Sequence, residues 1–396
     1  MTAIATKALD QHITSSAIPF NKPCLAGREF EYMADAVQQM HCSGNGPFTD
    51  KCHKLLEESL SVPRVLLTTS CTHALEMAAF LLNIQAGDEV IVPAFTFVST
   101  INAFLVRGAK PVFVDIRPDT LNMDETKVRG AITSRTKAIV PVHYAGVGCE
   151  MDELVQIAAD HGIAIVEDNA HGLWGRYKQK LLGTFGRLAT LSFHETKNIS
   201  CGEGGALLIN DPSLKERAEI LREKGTDRSR FQRGQVDKYT WVDVGSSYVL
   251  SDLLAAFLLA QLENSRKIQE ARKRAWTHYW TRLAPLAPAH GIGLPVIPTH
   301  CEQPYHMFYL LLSSVEQRKD LIEWLNFRGI KAVFHYLPLH LSEMGRKLGG
   351  QAGQHPVTES VSERLLRLPF YNDLSETQQD VVIDAIQQFL ECRTRS

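Results

Sequence analysis

Short apolar runs alternate with segments of helical periodicity over residues 60–210, and this pattern constrains the fold more than any other feature of the chain. RVLLTTS precedes CTHALEMAAFLLNI, DEVIVPAFT precedes FVSTINAFLVRGA, and TKAIVPVHYAG precedes MDELVQIAADHG. Strands joined by helices of about ten or more residues pair in parallel through right-handed crossovers, which cover both faces of the sheet. The sequence therefore predicts an α/β domain with a mostly parallel sheet.

The chain of 396 residues is too long for one core, so two domains are expected. We assign residues 1–17 to a loose N-terminal tail, 18–260 to the large domain, and 261–396 to a connecting helix and a smaller C-terminal α+β domain. Residues 251–283 have the pattern of one long helix that leaves the large domain. The polar and aromatic stretch at about 211–245 shows neither helical nor strand periodicity. It is suited to docking on another surface, and a second subunit is one candidate.

Composition excludes several classes of function. With 42 Lys and Arg against 44 Asp and Glu, and no basic stripe, nucleic acid is not an expected partner. Eight cysteines occur without a Cys-x-x-Cys pair, so they are expected to be reduced thiols and no metal site is expected. The N-terminus lacks the apolar core of a signal peptide, and no apolar run approaches the roughly 18 residues of a membrane span. We therefore expect a cytoplasmic protein without a membrane segment.

Residues that directly follow the apolar runs are the candidates for a functional site, because ligands of parallel α/β sheets collect at the carboxyl ends of the strands. These residues are Ser70, Cys71, Thr72, Phe95, Thr96, Phe97, His143, Tyr144, Asp168, Asn169, His171, Ser192, His194 and Lys197. Together they supply a hydroxyl-rich helix start, an aromatic ring, an acid and a lysine.

This set of groups suits pyridoxal phosphate (PLP). The amine of Lys197 can form a Schiff base with the cofactor aldehyde, and the carboxylate of Asp168 can keep the pyridine nitrogen protonated. Thr72 and the neighbouring amides at a helix start can bind the phosphate, with Ser192 as a second donor. Phe97 is placed to cover the ring. The sequence thus predicts a PLP site.

Each of these residues also has an ordinary structural explanation. The lysine can be solvated, the Asp-Asn pair can close a turn, and the helix start can be a simple N-cap. Neither GNGPFT, GVGCEM nor GEGGAL completes the G-x-G-x-x-G pattern, which argues against a nicotinamide dinucleotide. The ligand site is favoured because anion site, aromatic, acid and lysine fall on successive strand ends of one domain.

The segments TSCTHALEMA, GDEVIVPAFTFVST, VEDNAHG and SFHETKN followed by GEGGAL resemble the DegT/DnrJ/EryC1/StrS family of sugar aminotransferases. The resemblance covers nearly the whole chain after the tail. It implies a fold type I, aspartate aminotransferase-like PLP enzyme in which Lys197 forms the Schiff base and Asp168 pairs with the pyridine nitrogen. It further implies L-glutamate as amino donor, the 4-keto group of a dTDP-6-deoxyhexose as acceptor, and a homodimer with shared active sites.

The same resemblance implies roles for further residues. Cofactor contacts are implied for Cys71, Thr72, Phe97, His171, Ser192, Ser246 and Ser247, and substrate contacts are candidates for Arg233, Tyr239, His335 and Tyr336. Two positions depart from the common pattern: Cys71 replaces a frequent glycine, and Ser246 and Ser247 stand where many relatives carry an asparagine that reaches the phosphate from the second subunit. The basic and aromatic side chains of residues 222–241 could equally belong to a solvated loop.

Two alternative functions remain open at this point. A sister enzyme could aminate C3, aminate C4 with the other stereochemistry, or use a UDP-sugar, and strand-end reasoning does not separate these. A non-catalytic relative could bind cofactor or nucleotide as a sensor or scaffold. Some relatives carry histidine in place of the lysine and dehydrate their sugar, and Lys197 argues against that reaction.

Overall fold

The computed structural model describes residues 17–394, so the predicted tail lies outside the described residues except for residue 17. The helices are α1 (Glu29–Gln38), α2 (Pro47–Leu60), α3 (Cys71–Leu81), α4 (Ser99–Leu105), α5 (Glu125–Ala131), α6 (Met151–His161), α7 (Lys215–Arg222), α8 (Arg228–Gln232), α9 (Asp252–Glu263), α10 (Ser265–Leu283), α11 (Val315–Phe327), α12 (Glu343–Lys347), α13 (Pro356–Arg364) and α14 (Glu376–Thr394). The strands are β1 (Arg64–Thr68), β2 (Glu89–Pro93), β3 (Lys110–Val114), β4 (Thr136–Ile139), β5 (Ala164–Asp168), β6 (Arg176–Tyr177), β7 (Lys180–Leu181), β8 (Leu188–Ser192), β9 (Gly205–Ile209), β10 (Cys301–Glu302), β11 (Tyr309–Leu311) and β12 (Leu365–Arg367).

Seven strands form the central sheet in the order β1, β9, β8, β5, β4, β2, β3. The strands β8, β5, β4, β2 and β3 pair in parallel. β9 runs antiparallel to both of its neighbours, β1 and β8. The predicted mostly parallel sheet is thereby confirmed, and the carboxyl ends of β1, β2, β4, β5 and β8 meet at one edge.

Alternating side chains of each strand enter cores on opposite faces of the sheet, because successive residues of a strand point to opposite sides. In β1, Val65 and Leu67 pack against α1, α2 and α9, whereas Leu66 packs against α3, α4 and α7. In β2, Ile91 faces a core with α5 and α6, and its neighbours Val90 and Val92 face the α3 side. Helices therefore cover both faces, as expected for an α/β domain.

The C-terminal part builds a separate core on the antiparallel pair β11 and β12, covered by α10, α11 and α14. This agrees with the predicted smaller α+β unit. Ile18, which the predicted boundaries assign to the large domain, forms a bridge with Ile330 and packs in this second core. The first described residues thus associate with the C-terminal unit, because their backbone pairs with it.

The single long helix predicted for residues 251–283 is wrong. The structure has two helices, α9 and α10, separated at Asn264, whose backbone (φ −100°, ψ 13°) departs from helical values. The side-chain amide of Asn264 donates to the carbonyl of Ala260 at 2.9 Å, a local bond that competes with the helical pattern. The break lets α9 pack on the sheet while α10 enters the C-terminal core.

Among the helices that the structure describes, none is long and apolar enough to cross a membrane. All eight cysteines are free thiols, with Cys52, Cys149, Cys201 and Cys301 buried. Within residues 17–394 no group of three His, Cys, Asp or Glu side chains is arranged to hold a metal ion.

Candidate active site

A cavity of about 560 Å³ opens at the edge of the sheet where the parallel strands end. Nine of the residues with a predicted catalytic, cofactor or substrate role line it, namely Cys71, Thr72, Phe97, Asp168, His171, Ser192, Lys197, His335 and Tyr336, together with the strand-end candidates Ser70, Thr96 and His194. Of these, His335 and Tyr336 come from the C-terminal part of the chain, so the cavity lies between the large sheet and the smaller unit.

Lys197 lies in the connection of residues 193–204 between β8 and β9. The amide of Phe193 donates to the carbonyl of Gly204 at 2.8 Å, and the amide of Cys201 donates back to the carbonyl of Phe193 at 2.9 Å. These bonds close the connection into a compact loop. Because β9 is antiparallel to β8, no crossover helix separates them, and the lysine stays at the edge where β8 ends.

The environment of Lys197 makes its amine reactive. Burial lowers its pKa to about 8, against the raising influence of Cys71 and Asp168, and the positive charge of Arg367 adds to the lowering. An amine with this pKa is partly unprotonated near neutral pH. It can therefore act as a nucleophile or as a base.

Asp168 is the last residue of β5, and only 5% of its surface is exposed. Its Oδ2 accepts a hydrogen bond from the hydroxyl of Thr100 at 2.8 Å, and its Oδ1 accepts one from the amide of Ala170 at 3.2 Å. Burial raises the pKa of this carboxyl, whereas the two hydrogen bonds and the charge of Lys197 lower it. A cation placed against Asp168 would favour the ionised form.

Helix α3 begins beside the cavity and is capped by the side chain of Ser70. The first amides of a helix have no partner within it and carry its positive dipole end, so this terminus suits a phosphate. The hydroxyl of Thr72 lies 2.8 Å from Oγ of Ser99, while the thiol of Cys71 donates to Thr190 at 3.4 Å. Cys71 can thus offer its amide to a ligand while its thiol is engaged elsewhere.

Gly205, the first residue of β9, fixes α3 against the loop that carries the lysine. It pairs with Thr68 of β1 on one side and with Ser192 of β8 on the other. A Cβ atom at Gly205 would lie 2.4 Å from the amide nitrogen of Cys71, which is too close for non-bonded atoms. Any other residue here would displace the start of α3.

Aromatic and imidazole rings form another part of the lining. Phe97 exposes 56% of its surface, and its ring centroid lies 6.2 Å from that of Tyr336. His171 stacks on His306 with centroids 4.3 Å apart and 21° between the planes. Burial lowers the pKa of His171, His306 and His335 well below the ordinary value, so these rings are neutral near pH 7.

Four residues that are predicted to contact cofactor or substrate do not line the cavity of the single chain. Arg233 forms an ion pair with Glu219 at 2.7 Å, and Tyr239 is 51% exposed on the surface. Ser246 and Ser247 are also exposed. One chain does not bring these four residues to the cavity, and their roles stay predictions.

Three important neighbours of the predicted residues are not identified by the sequence patterns. Thr100 follows Thr96 by one helical turn, and the two hydroxyls lie 2.8 Å apart, a spacing that could have identified Thr100. Arg367 interrupts the apolar run LLRLPF, and a charge inside such a run is a detectable signal. His306 lies between the short strands β10 and β11, and its sequence context carries no signal that we recognise.

Solved structures with the same course of the chain are fold type I transferases, the class that includes aspartate aminotransferase, so the predicted fold class is confirmed. The chain belongs to the DegT/DnrJ/EryC1/StrS aminotransferase family, whose family model matches residues 23–387. This confirms the predicted family and, at the level of reaction class, the prediction of a sugar aminotransferase.

Individual relatives match over most of their length. GDP-perosamine synthase of Escherichia coli O157:H7 is 31% identical over 373 residues, which is 94% of this chain and 98% of that protein. A pleiotropic regulatory protein of Geobacillus stearothermophilus is 36% identical over 319 residues, which is 80% and 82% of the two chains. A Streptococcus pneumoniae protein classed as a sugar aminotransferase and solved in its PLP form has a TM-score of 0.88 at 28% identity, covering 95% of this chain and 99% of that one.

Proposed function

We propose that this protein is a PLP-dependent aminotransferase that moves the amino group of L-glutamate to the C4 keto group of dTDP-4-dehydro-6-deoxy-D-glucose. The product would be dTDP-4-amino-4,6-dideoxy-D-galactose, for a cell-surface polysaccharide of the enterobacterial common antigen type, made in the cytoplasm. IVPVHYAGVGCEMDE, EILREKGTDRSRFQRGQVDKYTWVDVGSSY and KAVFHYLPLH resemble dTDP-4-amino-4,6-dideoxygalactose transaminase and support the sugar assignment. The observation that carries the reaction class is a lysine of lowered pKa and a buried carboxylate lining one cavity.

Several groups in the cavity lack partners that PLP would provide. Asp168 has lost its hydration but has only a hydroxyl and an amide as close donors, so it suits a cationic ring nitrogen. Phe97 exposes a flat apolar face. Nδ1 of His171 is buried without a hydrogen-bond partner among the described residues, and a ring oxygen could serve it. The start of α3 and the hydroxyls of Thr72 and Ser192 suit the phosphate.

When bound, PLP supplies an electron sink that lets a C–H bond beside nitrogen be broken. Lys197 then takes the proton from the α-carbon of the amino donor in the first half reaction. It gives a proton to C4 of the sugar in the second half reaction, and a pKa of about 8 suits transfer in both directions. Asp168 holds the proton of the ring nitrogen through its negative charge, which stabilises the transition states of both halves.

The proposed active form is a homodimer with shared active sites. Residues 231–244 expose apolar side chains, including Phe231 at 43%, Trp241 at 76% and Val244 at 49%. Several large apolar side chains exposed in one segment are a feature of protein interfaces. A second subunit that covers it would also account for the exposed position of Ser246 and Ser247, the candidates for a phosphate contact across the dimer.

Two named relatives define the alternatives. GDP-perosamine synthase favours a sister enzyme that acts on another nucleotide sugar or with other stereochemistry as the second candidate. The pleiotropic regulatory protein keeps a sensor or scaffold role in view. The intact pair of Lys197 and Asp168 favours catalysis over that role.

The deciding experiment mixes the purified holoenzyme with L-glutamate and follows the visible absorbance band of the cofactor and the release of 2-oxoglutarate. We expect loss of the band, and subsequent addition of dTDP-4-dehydro-6-deoxy-D-glucose should restore it and give a 4-amino sugar whose C4 configuration NMR reports. Lys197→Ala should abolish the band and turnover, and Asp168→Asn should lose most of the rate, while Lys127→Ala, an exposed lysine on α5, should behave as wild type.

The possible results separate the candidates. A wild-type holoenzyme that leaves glutamate unchanged would support the sensor or scaffold function. Amination of a different nucleotide sugar would identify a sister enzyme. So would a product whose C4 amine is equatorial, which is not the galactose configuration of the proposed product. Turnover retained by Lys197→Ala would remove the lysine from the mechanism.

A further inference from the structure

Asp115 joins the edge of the large sheet to a helix of the C-terminal unit. It follows β3 directly, and only 7% of its surface is exposed. Its Oδ2 accepts a hydrogen bond from the amide of Val357 at 3.0 Å, and its Oδ1 accepts from the amide and the hydroxyl of Thr358, both at 2.8 Å. One buried carboxylate thus binds three donors that lie 242 and 243 residues further along the chain.

These three bonds cap the start of α13. Its first residue, Pro356, has no amide hydrogen, so Val357 and Thr358 carry the first amides of the helix that need a partner from outside it. The positive end of the helix dipole also attracts the carboxylate of Asp115. Most helices are capped by the residue just before them, whereas here the cap comes from the other structural unit. Asp115 therefore fixes the position of α13 relative to the large sheet.

Helix α13 in turn supports two segments of the cavity wall. The hydroxyl of Ser362 on α13 donates to the carbonyl of Tyr336 at 2.6 Å, and both Tyr336 and its neighbour His335 line the cavity. Strand β12 begins at Leu365, directly after α13, and ends at Arg367, which also lines the cavity. A shift of α13 would therefore move this part of the wall.

The groups proposed to hold PLP are positioned by other elements. Thr72 is on α3, Asp168 ends β5, and Lys197 lies in the connection between β8 and β9. The side chains of Thr72 and Asp168 are held by Ser99 and Thr100 of α4, each through a hydrogen bond of 2.8 Å. Loosening of α13 should consequently change the wall that the C-terminal unit contributes and leave the cofactor contacts in place.

We propose that Asp115 is a positioning residue for substrate binding, a role that rests on the proposed aminotransferase function. By fixing α13 to the end of β3, it sets where the wall of His335 and Tyr336 lies relative to the reacting groups Lys197 and Asp168. A substrate binds well only while that wall is in place, because apparent affinity falls with the fraction of molecules in the binding-competent arrangement. Asp115 thus acts on the affinity for substrates and not on the affinity for PLP.

The test compares Asp115→Ala and Asp115→Asn with the control Asp124→Ala in the holoenzyme. Asp124 is a matched control because it also caps a helix, α5, by accepting from the amide and the hydroxyl of one threonine, Thr126. Helix α5 packs through Val128 into a core of the large domain. Both alanine variants therefore lose a carboxylate cap, but only one of the two caps joins the sheet to the C-terminal unit.

The expected effect is a rise in KM without a matching loss of kcat. Replacing an N-cap by alanine weakens a helix terminus by a factor of roughly 2 to 30. We expect Asp115→Ala to raise KM for the nucleotide sugar and for L-glutamate about 10-fold, with kcat within about 2-fold of wild type and the same affinity for PLP. Asp115→Asn keeps one capping oxygen and should give intermediate KM values, and Asp124→Ala should keep the wild-type values.

Two further measurements keep the proposal testable if Asp115→Ala does not fold. Ser362→Ala breaks the next link, between α13 and Tyr336, while the capping carboxylate stays in place, and it should raise KM with unchanged PLP affinity. Hydrogen exchange read by mass spectrometry needs no turnover. Peptides that cover residues 331–341 and 356–367 should exchange faster in Asp115→Asn than in wild type, whereas a peptide that covers α5 should not change.

The outcomes separate the two proposals. A wild type that does not transaminate, together with faster exchange of both peptides in the Asp115 variants, would overturn the proposed function and support the link from Asp115 to the cavity wall. Unchanged KM values in Asp115→Ala, an equal rise in Asp124→Ala, or a loss of PLP affinity as large as the loss of substrate affinity would each overturn the role assigned to Asp115. Faster exchange confined to residues 356–367 would overturn it as well.

Discussion

Thr100→Val tests whether the ionisation of Asp168 controls the reaction. The Thr100 hydroxyl donates to the Asp168 carboxylate at 2.8 Å, and Thr100 is 1% exposed, so water does not replace the lost donor. Valine keeps the shape of the side chain and removes the bond. A hydrogen bond to a charged group contributes about 1.5–3 kcal/mol, which corresponds to roughly a 10- to 150-fold change in the equilibrium between the ionised and neutral carboxyl.

The sign of the effect follows from the direction of the shift. The Thr100 bond lowers the pKa of Asp168, so the variant has a higher pKa. Activity that needs the carboxylate is present above this pKa and is lost as pH falls through it. The acid limb of kcat/KM for the holoenzyme should therefore move to higher pH in Thr100→Val, with weaker retention of PLP at the same acidic pH.

Thr49→Val is a matched control, because the Thr49 hydroxyl also donates to a buried carboxylate, that of Asp252, at 2.8 Å, but joins α2 to α9 outside the cavity. Thr49→Val should lower the free energy of unfolding in urea by about 1.5–3 kcal/mol, the contribution of a hydrogen bond to a charged group. It should leave the pH profile of kcat/KM as in wild type. A Thr100→Val enzyme with a wild-type acid limb would refute the electrostatic role given to Asp168.

Three further predictions concern the lysine, the glycine beside it and the exposed segment. The rate at which the apoenzyme recombines with PLP should rise with pH through a midpoint near 8, because burial lowers the Lys197 pKa to about 8. A midpoint near the ordinary pKa of lysine would show that the amine is not buried in this way. Gly205→Ala should weaken PLP binding by at least about 10-fold in a fluorescence titration, because the new Cβ would displace the Cys71 amide. The control Gly130→Ala has open space around it and should bind PLP as the wild type does. Trp241→Glu should shift the sedimentation coefficient toward that of a monomer. The control Phe327→Glu, at a site that is 77% exposed, should not shift it. An unchanged dimer in Trp241→Glu would place the interface elsewhere.

Local patterns were sufficient to predict the sheet domain and the residues at its carboxyl edge. Strand β5 reads as an apolar run that ends in Asp168, and parallel pairing dictates that this residue meets the ends of β1 and β8. The same rule brings Thr72 and Lys197 to one cavity. These positions depend on where each strand ends and on the parallel direction of the strands. Short stretches of sequence specify both through their alternating strand-like and helix-like apolar patterns.

Features that depend on contacts between distant segments were not predictable in this way. Arg367 reaches the cavity because β12 pairs with β11 and places the C-terminal unit against the sheet. The break at Asn264 is a local exception, because it accompanies a single side-chain bond to the carbonyl of Ala260 that competes with an otherwise helical pattern. Arg233 has a suitable charge for a diphosphate, but its position was decided by Glu219, a partner that sequence spacing did not indicate.

The row formed by Thr68, Gly205 and Ser192 crosses three strands and touches the first turn of α3 through main-chain atoms. The distance between the start of α3 and the strand end that leads to the loop of Lys197 is consequently set by backbone atoms, and the proposed cofactor has to match that distance to contact both. Side chains around the rim of the cavity can change without altering this distance. Under the proposed function, a different sugar acceptor would need changes only at the rim, whereas a cofactor of another length would need a different backbone spacing.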